Sequence, residues 1–358
     1  MKTRSLKVLA VVGVACAVLV TGCAGVKLQD GVAAPIFSET PVDPAVGRRA
    51  DLMFQLLAGE IAGKRGDVDE AMLHYSEASK LSDSPDVAAR AARIASFAKD
   101  YEVALASAQR WLSLEPDSEE AQQAVGLLLV RMGRPKEALE HFKKVIDKDG
   151  EKNYEVSFAR LSLTFGRESV SDDELEAMNL LRKAYPDVVY AQRAYAELAY
   201  RKDQYGSALA ALDDALRLDP KDQPSHILKN RVLLASGKVD AALQGMKKLL
   251  LESPDDPELR HGYARMLVQA KRYEQALSEY EKITRMNPDD LDVVYSTALL
   301  EIELKHYDDA RSNLKKLLDS PHHNNEAYYY LGRIEEEQKI YDQAISWFAR
   351  IHRGEYFL

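Results

Sequence analysis

Arginine is the residue type whose placement in this chain says most about chemistry. Arg93, Arg231, Arg265 and Arg333 each lie eleven residues before an alanine, at Ala104, Ala242, Ala276 and Ala344. Leu127, Glu197 and Leu299 hold the same place before Ala138, Ala208 and Ala310, and nearby in register come Arg131, Arg193, Arg201, His261, Tyr295 and Tyr329. A guanidinium presents a planar fork of N–H donors that fits a carboxylate bidentately, so this series suits an acidic segment or a C-terminal carboxylate of another chain. The same arginines would serve as well to pair with Glu or Asp on neighbouring elements of their own fold, and the sequence leaves both readings open.

Other chemistry is sparse. There is no H-E-x-x-H, G-x-S-x-G or C-x-x-C and no Gly-rich turn between strand and helix, so no enzyme, cofactor or metal is expected. The run from Gly59 to Arg65 imitates a phosphate loop, but it has one residue too few between the glycines and lacks the Ser or Thr; we expect a turn between two helices there. His322, His323 and Glu326 lack a fourth donor and read as a solvated turn. Of the three adjacent tyrosines, Tyr328 is expected to pack and Tyr329 to face the arginine-bearing side.

A periodic set of helices must position these residues. In RYEQALSEYEKITRMNPDD, residues 272–290, Ala276, Tyr280 and Ile283 fall on one helical stripe, and Pro288 stops the helix. Ala208, Ala242, Ala276, Ala310 and Ala344 follow at intervals of 34, preceded by Ala71, Ala104 and Ala138 at 33 and 34; Pro220, Pro254 and Pro288 keep the same beat. From about residue 49 onward the chain resembles the tetratricopeptide repeat family. The resemblance implies an all-α, right-handed superhelical solenoid of about nine helix pairs over 49–358, with the first helix of each pair lining a concave ligand face. Ala71, Tyr75 and Ala78 match the family's small, aromatic, small triplet, and Tyr328, Leu331, Gly332, Ala344 and Phe348 match it over both helices of the last repeat. The asparagines of the family's carboxylate-clamp members are absent.

Two places depart from the period. Between Ala138 and its equivalent, Glu174, lie 36 residues, with Gly166 ending one helix and Ser171-x-x-Glu174 resembling a capping box for the next, so a bend or contact loop is expected there. The last helix carries Trp347, Phe348, Ile351, Tyr356, Phe357 and Leu358 and no polar cap. We expect this end to be covered by another molecule, a second copy included, or to continue into further repeats.

The start of the chain reads as an address. Lys2, Arg4 and Lys7 precede an apolar run from Val8 to Val20 that is too short to span a bilayer. Val20-Thr21-Gly22-Cys23 resembles the bacterial lipobox, which implies removal of residues 1–22 and lipidation of Cys23 with diacylglyceryl and acyl chains. Ala24 in place of Asp implies, by the same resemblance, sorting to the outer membrane on its periplasmic side. Residues 23–48, with Pro35, Pro41 and Pro44 and no helical period, are expected to form a tether. Removing the signal also removes Cys16, leaving no internal disulfide, and takes the net charge from -9 to -12. Nucleic acid and anionic membrane are poor general partners for such a chain, although local basic patches remain open to it.

The segments DLMFQLLAGEIAGKRGDVDEAMLHYSEAS and AARAARIASFAKDYEVAL resemble tetratricopeptide lipoproteins of pseudomonads that partner a carboxyl-terminal processing protease and bring cell-wall hydrolases to it. That resemblance implies a periplasmic adaptor. The alternative is an assembly lipoprotein for a pilus secretin or an exopolysaccharide export machine.

Overall fold

The computed structural model describes residues 43–351 except Glu168 and Pro321. The expected signal segment, Cys23, most of the expected tether, and Tyr356, Phe357 and Leu358 lie outside the described residues. Among those described there is no strand, and eighteen α-helices follow one another in nine pairs. The pairs are α1 (Pro44–Arg65) with α2 (Val68–Leu81), α3 (Pro85–Phe97) with α4 (Tyr101–Leu114), and α5 (Glu119–Arg131) with α6 (Pro135–Asp149). Then come α7 (Tyr154–Phe165) with α8 (Asp172–Ala184), α9 (Val189–Arg201) with α10 (Tyr205–Leu218), and α11 (Gln223–Ala235) with α12 (Val239–Glu252). The last are α13 (Pro257–Gln269) with α14 (Tyr273–Met286), α15 (Leu291–Glu303) with α16 (Tyr307–Lys316), and α17 (Asn324–Glu337) with α18 (Tyr341–Phe348). The first helix starts earlier than the expected boundary at residue 49. Pro44 stands in its first turn, where a missing N–H costs nothing, so residues 44–48 are helix where a tether was expected.

The beat of small residues is a packing device. Ala104, Ala138, Ala208, Ala242, Ala276 and Ala310 are all wholly buried on the second helices of their pairs, and Ala71 and Ala344 nearly so. In most repeats each first helix packs on its own partner, and each second helix on the next first helix. Sixteen residues separate Gly59 from Tyr75, Gly126 from Phe142 and Gly332 from Phe348, and in each case the glycine leaves room for the ring. A Cβ on Gly59 or Gly126 would come within 2.8 Å of the aromatic carbons. This corrects the reading of Gly59 to Arg65 as a turn: the whole run is the last part of α1, and the turn comes at Gly66.

The turns between paired helices share one conformation. Gly66, Gly133 and Gly237 are left-handed, and so are Lys99, Asp203, Lys271, Lys305 and Lys339, with φ between 56° and 67°. All eight stand five residues before the buried alanine of their repeat. Among the described residues the fourth pair has no such residue, and it is built differently. A 3-10 turn, Glu151–Asn153, follows Gly150 and leads into α7, which packs on α9 and barely touches α8, while α8 lies against α6 and α9. Tyr154, Phe158, Tyr185, Phe142 and Phe165 fill this region with edge-to-face contacts at 5.5–6.3 Å between ring centres. The expected capping box is present, with Ser171 and Glu174 each bonding the other's backbone N–H, so the residue in the alanine register serves as a cap.

Candidate protein-binding face

The first helices α7, α9 and α11 form a cleft lined by Glu155, Leu163, Tyr190, Arg193, Glu197, Ile227 and Arg231. These residues stand eighteen or nineteen, fifteen and eleven positions before the anchor of their repeat, so the cleft takes in the eleven-residue register of Arg231 together with the position of Arg193 one turn before it. Its walls mix apolar side chains with charged ones, and Leu163 and Val156 on α7 are strongly exposed. Guanidinium and carboxylate groups alternate along it.

The candidate arginines divide by their partners. Arg193 is bidentate on Asp222, the N-cap of α11, at 2.8 and 2.9 Å, and reaches Glu155 of α7 at 2.9 Å, so one side chain ties three helices together. Arg201 donates to the carbonyl of Gly166, and its neighbour Lys202 donates to the Val170 carbonyl at 3.3 Å, so α9 holds down the long turn before α8. Both are stacking residues. Arg231 lies over the Tyr200 ring at 5.3 Å, and Arg131 over Tyr101 at 5.8 Å with a weak contact to Ser96. Arg333 makes a solvated pair with Glu336 one turn away. Arg93 and Arg265 are exposed and form no ion pair among the described residues. Arg93 lines a second cleft with Glu60, Arg90 and the highly exposed Phe97.

The aromatic candidates do less as free contact groups. His261 packs edge-on against Tyr280 at 5.7 Å. Tyr295 stacks on His323 at 5.2 Å, and His323 in turn bonds Asp292 at 2.7 Å. Tyr328 stacks on Trp347, as expected for a packing residue. Tyr329, expected on the arginine-bearing side, is half-buried with its ring against Tyr330 and Phe348, because the space over Gly332 draws the neighbouring aromatics together.

Sequence reasoning missed a second family of polar contacts. Gln55 bonds His74 at 2.6 Å, Gln122 bonds His141 at 2.7 Å, and Arg260 bonds Glu279 at 2.6 Å. Each pair is nineteen residues apart and links the two helices of one repeat at the same level. Burial drives the His141 imidazole toward its neutral form. Burial opposes the Glu279 charge, but Lys282 and Arg260 together outweigh it and hold this carboxyl below its usual range. Arg311 similarly grips the buried Glu335 at 2.8 Å, and Arg110 reaches back to the carbonyls of Ser79 and Ser82. The signal was available once the register was known, since the partners recur at fixed offsets.

This geometry is that of a stacked-helix repeat protein. Models of the tetratricopeptide repeat match residues 175–223, 233–300 and 295–355, just under half of the chain, and the fold is a solenoid of tetratricopeptide-type helix pairs. It is 30% identical over 214 residues to TPR repeat-containing protein PA4667 of Pseudomonas aeruginosa, an overlap of 60% of this chain and 36% of that one. The chain thus spans about a third of the length of that curated relative. Solved structures with similarity include a tetratricopeptide repeat protein from Parabacteroides merdae, 12% identical over 83% of this chain and 99% of that one with a TM-score of 0.37. TTC0263 of Thermus thermophilus is 24% identical over 52% and 100% with a TM-score of 0.38, and yeast Tom70 is 13% identical over 84% and 76% with a TM-score of 0.36. Proteins of this family are in general non-catalytic scaffolds that bind other proteins.

Proposed function

We propose that the chain is a non-enzymatic periplasmic adaptor, held at the outer membrane by lipid on Cys23, that binds proteins along its first-helix face. Its partners in this reading are a carboxyl-terminal processing protease and the cell-wall hydrolases brought to it. The observation that carries the proposal is the division of the arginines. Arg193 and Arg201 are consumed in holding the stack, whereas Arg93, Arg231 and Arg265 are exposed and form no ion pair among the described residues, with Arg93 and Arg231 each lining a cleft. Likeness to a pseudomonad repeat protein supports the direction of the reading.

The anchoring half of the proposal has its own test. Cys23→Ser should abolish incorporation of labelled palmitate and block normal maturation. Continued labelling of that variant would remove the lipoprotein reading.

A further inference from the structure

The first helix presents a face that the stack does not use. Arg49, Met53, Leu57, Ile61 and Arg65 follow one another on α1 at four-residue steps, with Phe54 alongside. Among the described residues Met53, Leu57 and Ile61 keep 64, 59 and 50% of their surface in water, and Phe54 stays exposed although its ring edges against His74. Gln55, Gly59 and Glu60 on the other side of the helix make the contacts to α2 and α3, through His74, Tyr75 and Arg90. An apolar row about 12 Å long is thus left open, closed at each end by a cation, the two cations about 24 Å apart along the axis.

We propose that Met53, Phe54, Leu57 and Ile61, framed by Arg49 and Arg65, form an interfacial face by which α1 lies flat on an anionic lipid surface. Charge selects this occupant. In a chain of net charge -9, α1 carries Arg48, Arg49, Lys64 and Arg65 against only Asp51 and Glu60, and Glu60 is already held by Tyr75 and Arg90. A second copy is disfavoured, because two such helices paired in either direction set arginine against arginine at both ends of the row. A lipid surface accepts the apolar row among its acyl chains while the arginine stems reach outward to headgroup phosphates. The inference rests on the lipid-anchored reading: the 21 residues from Cys23 to Pro44 reach at most about 70 Å, so anchoring at Cys23 keeps α1 close to a bilayer.

The test uses the mature lipidated protein in vesicles, with an environment-sensitive fluorophore on Leu57→Cys and, for comparison, on Leu73→Cys, an exposed position on α2. In vesicles containing phosphatidylglycerol the Leu57 probe should shift to the blue and be quenched severalfold more by brominated lipid than the Leu73 probe, and adding Arg49→Glu and Arg65→Glu should abolish the difference. A Leu57 probe as wet as the Leu73 probe on protein that floats with the vesicles overturns the interfacial face alone. Shielding without bromine quenching also overturns it, since protein, from this chain or another, would then be the cover. Failure of the unsubstituted protein to float defeats the anchoring reading and this inference together.

Discussion

At the scale of single residues, the turn between paired helices shows how a repeat tolerates local cost. Lys99, Lys271, Lys305 and Lys339 occupy the left-handed position that Gly66, Gly133 and Gly237 fill in other repeats. A side chain there costs roughly 1–2 kcal/mol, partly offset by the roughly 0.5–1 kcal/mol of extra chain entropy that glycine would lose on folding. Lys271→Gly should therefore raise stability by up to about 1 kcal/mol, read as an increase in denaturant midpoint at unchanged slope. A fall in midpoint would mean that the lysine makes a contact worth more than its strain. The buried alanines were legible because size alone dictates who can sit at a helix crossing. The arginines were legible in position but not in role. Whether Arg193 binds a ligand or Asp222 depends on what the next repeat carries at its N-cap, and a guanidinium fits both.

At the scale of elements, the fourth pair is where the regular rule gives way. The extra length between Ala138 and Glu174 was visible in the sequence, as was the capping box, because both are local. That α7 would leave α8 and pack on α9 was not, since the choice depends on an aromatic cluster drawn from α6, α7 and the end of α8. The start of α1 was missed for a similar reason: a proline in the first turn reads as a breaker until the helix beyond it is seen. With α8 receiving little support from α7, its N-terminal cap carries more of the local order. Ser171→Ala should cost about 0.5–2 kcal/mol, with hydrogen exchange accelerated mainly in α8 and the 166–171 turn. An unchanged midpoint with no local change in exchange would contradict that account.

At the scale of the whole molecule, stacking and the proposed recognition draw on the same helices. The face that carries the open arginines also carries Arg193 and Arg201, which hold neighbouring helices, so charge reversal distinguishes the two uses. Arg231→Glu with Arg265→Glu should leave the thermal midpoint nearly unchanged, because exposed charges of this kind contribute only about 0–1 kcal/mol to stability. Reversal of Arg193 would instead set a carboxylate against Asp222 and Glu155 and should lower the midpoint first. The decisive measurement is one paired experiment on the Arg231→Glu, Arg265→Glu protein, comparing its thermal midpoint with its recovery of the proposed partners, a processing protease and cell-wall hydrolases, in a pull-down. The account predicts a wild-type midpoint with partner recovery falling tenfold or more. Full recovery by the folded double variant would contradict it and remove the first-helix face from the mechanism.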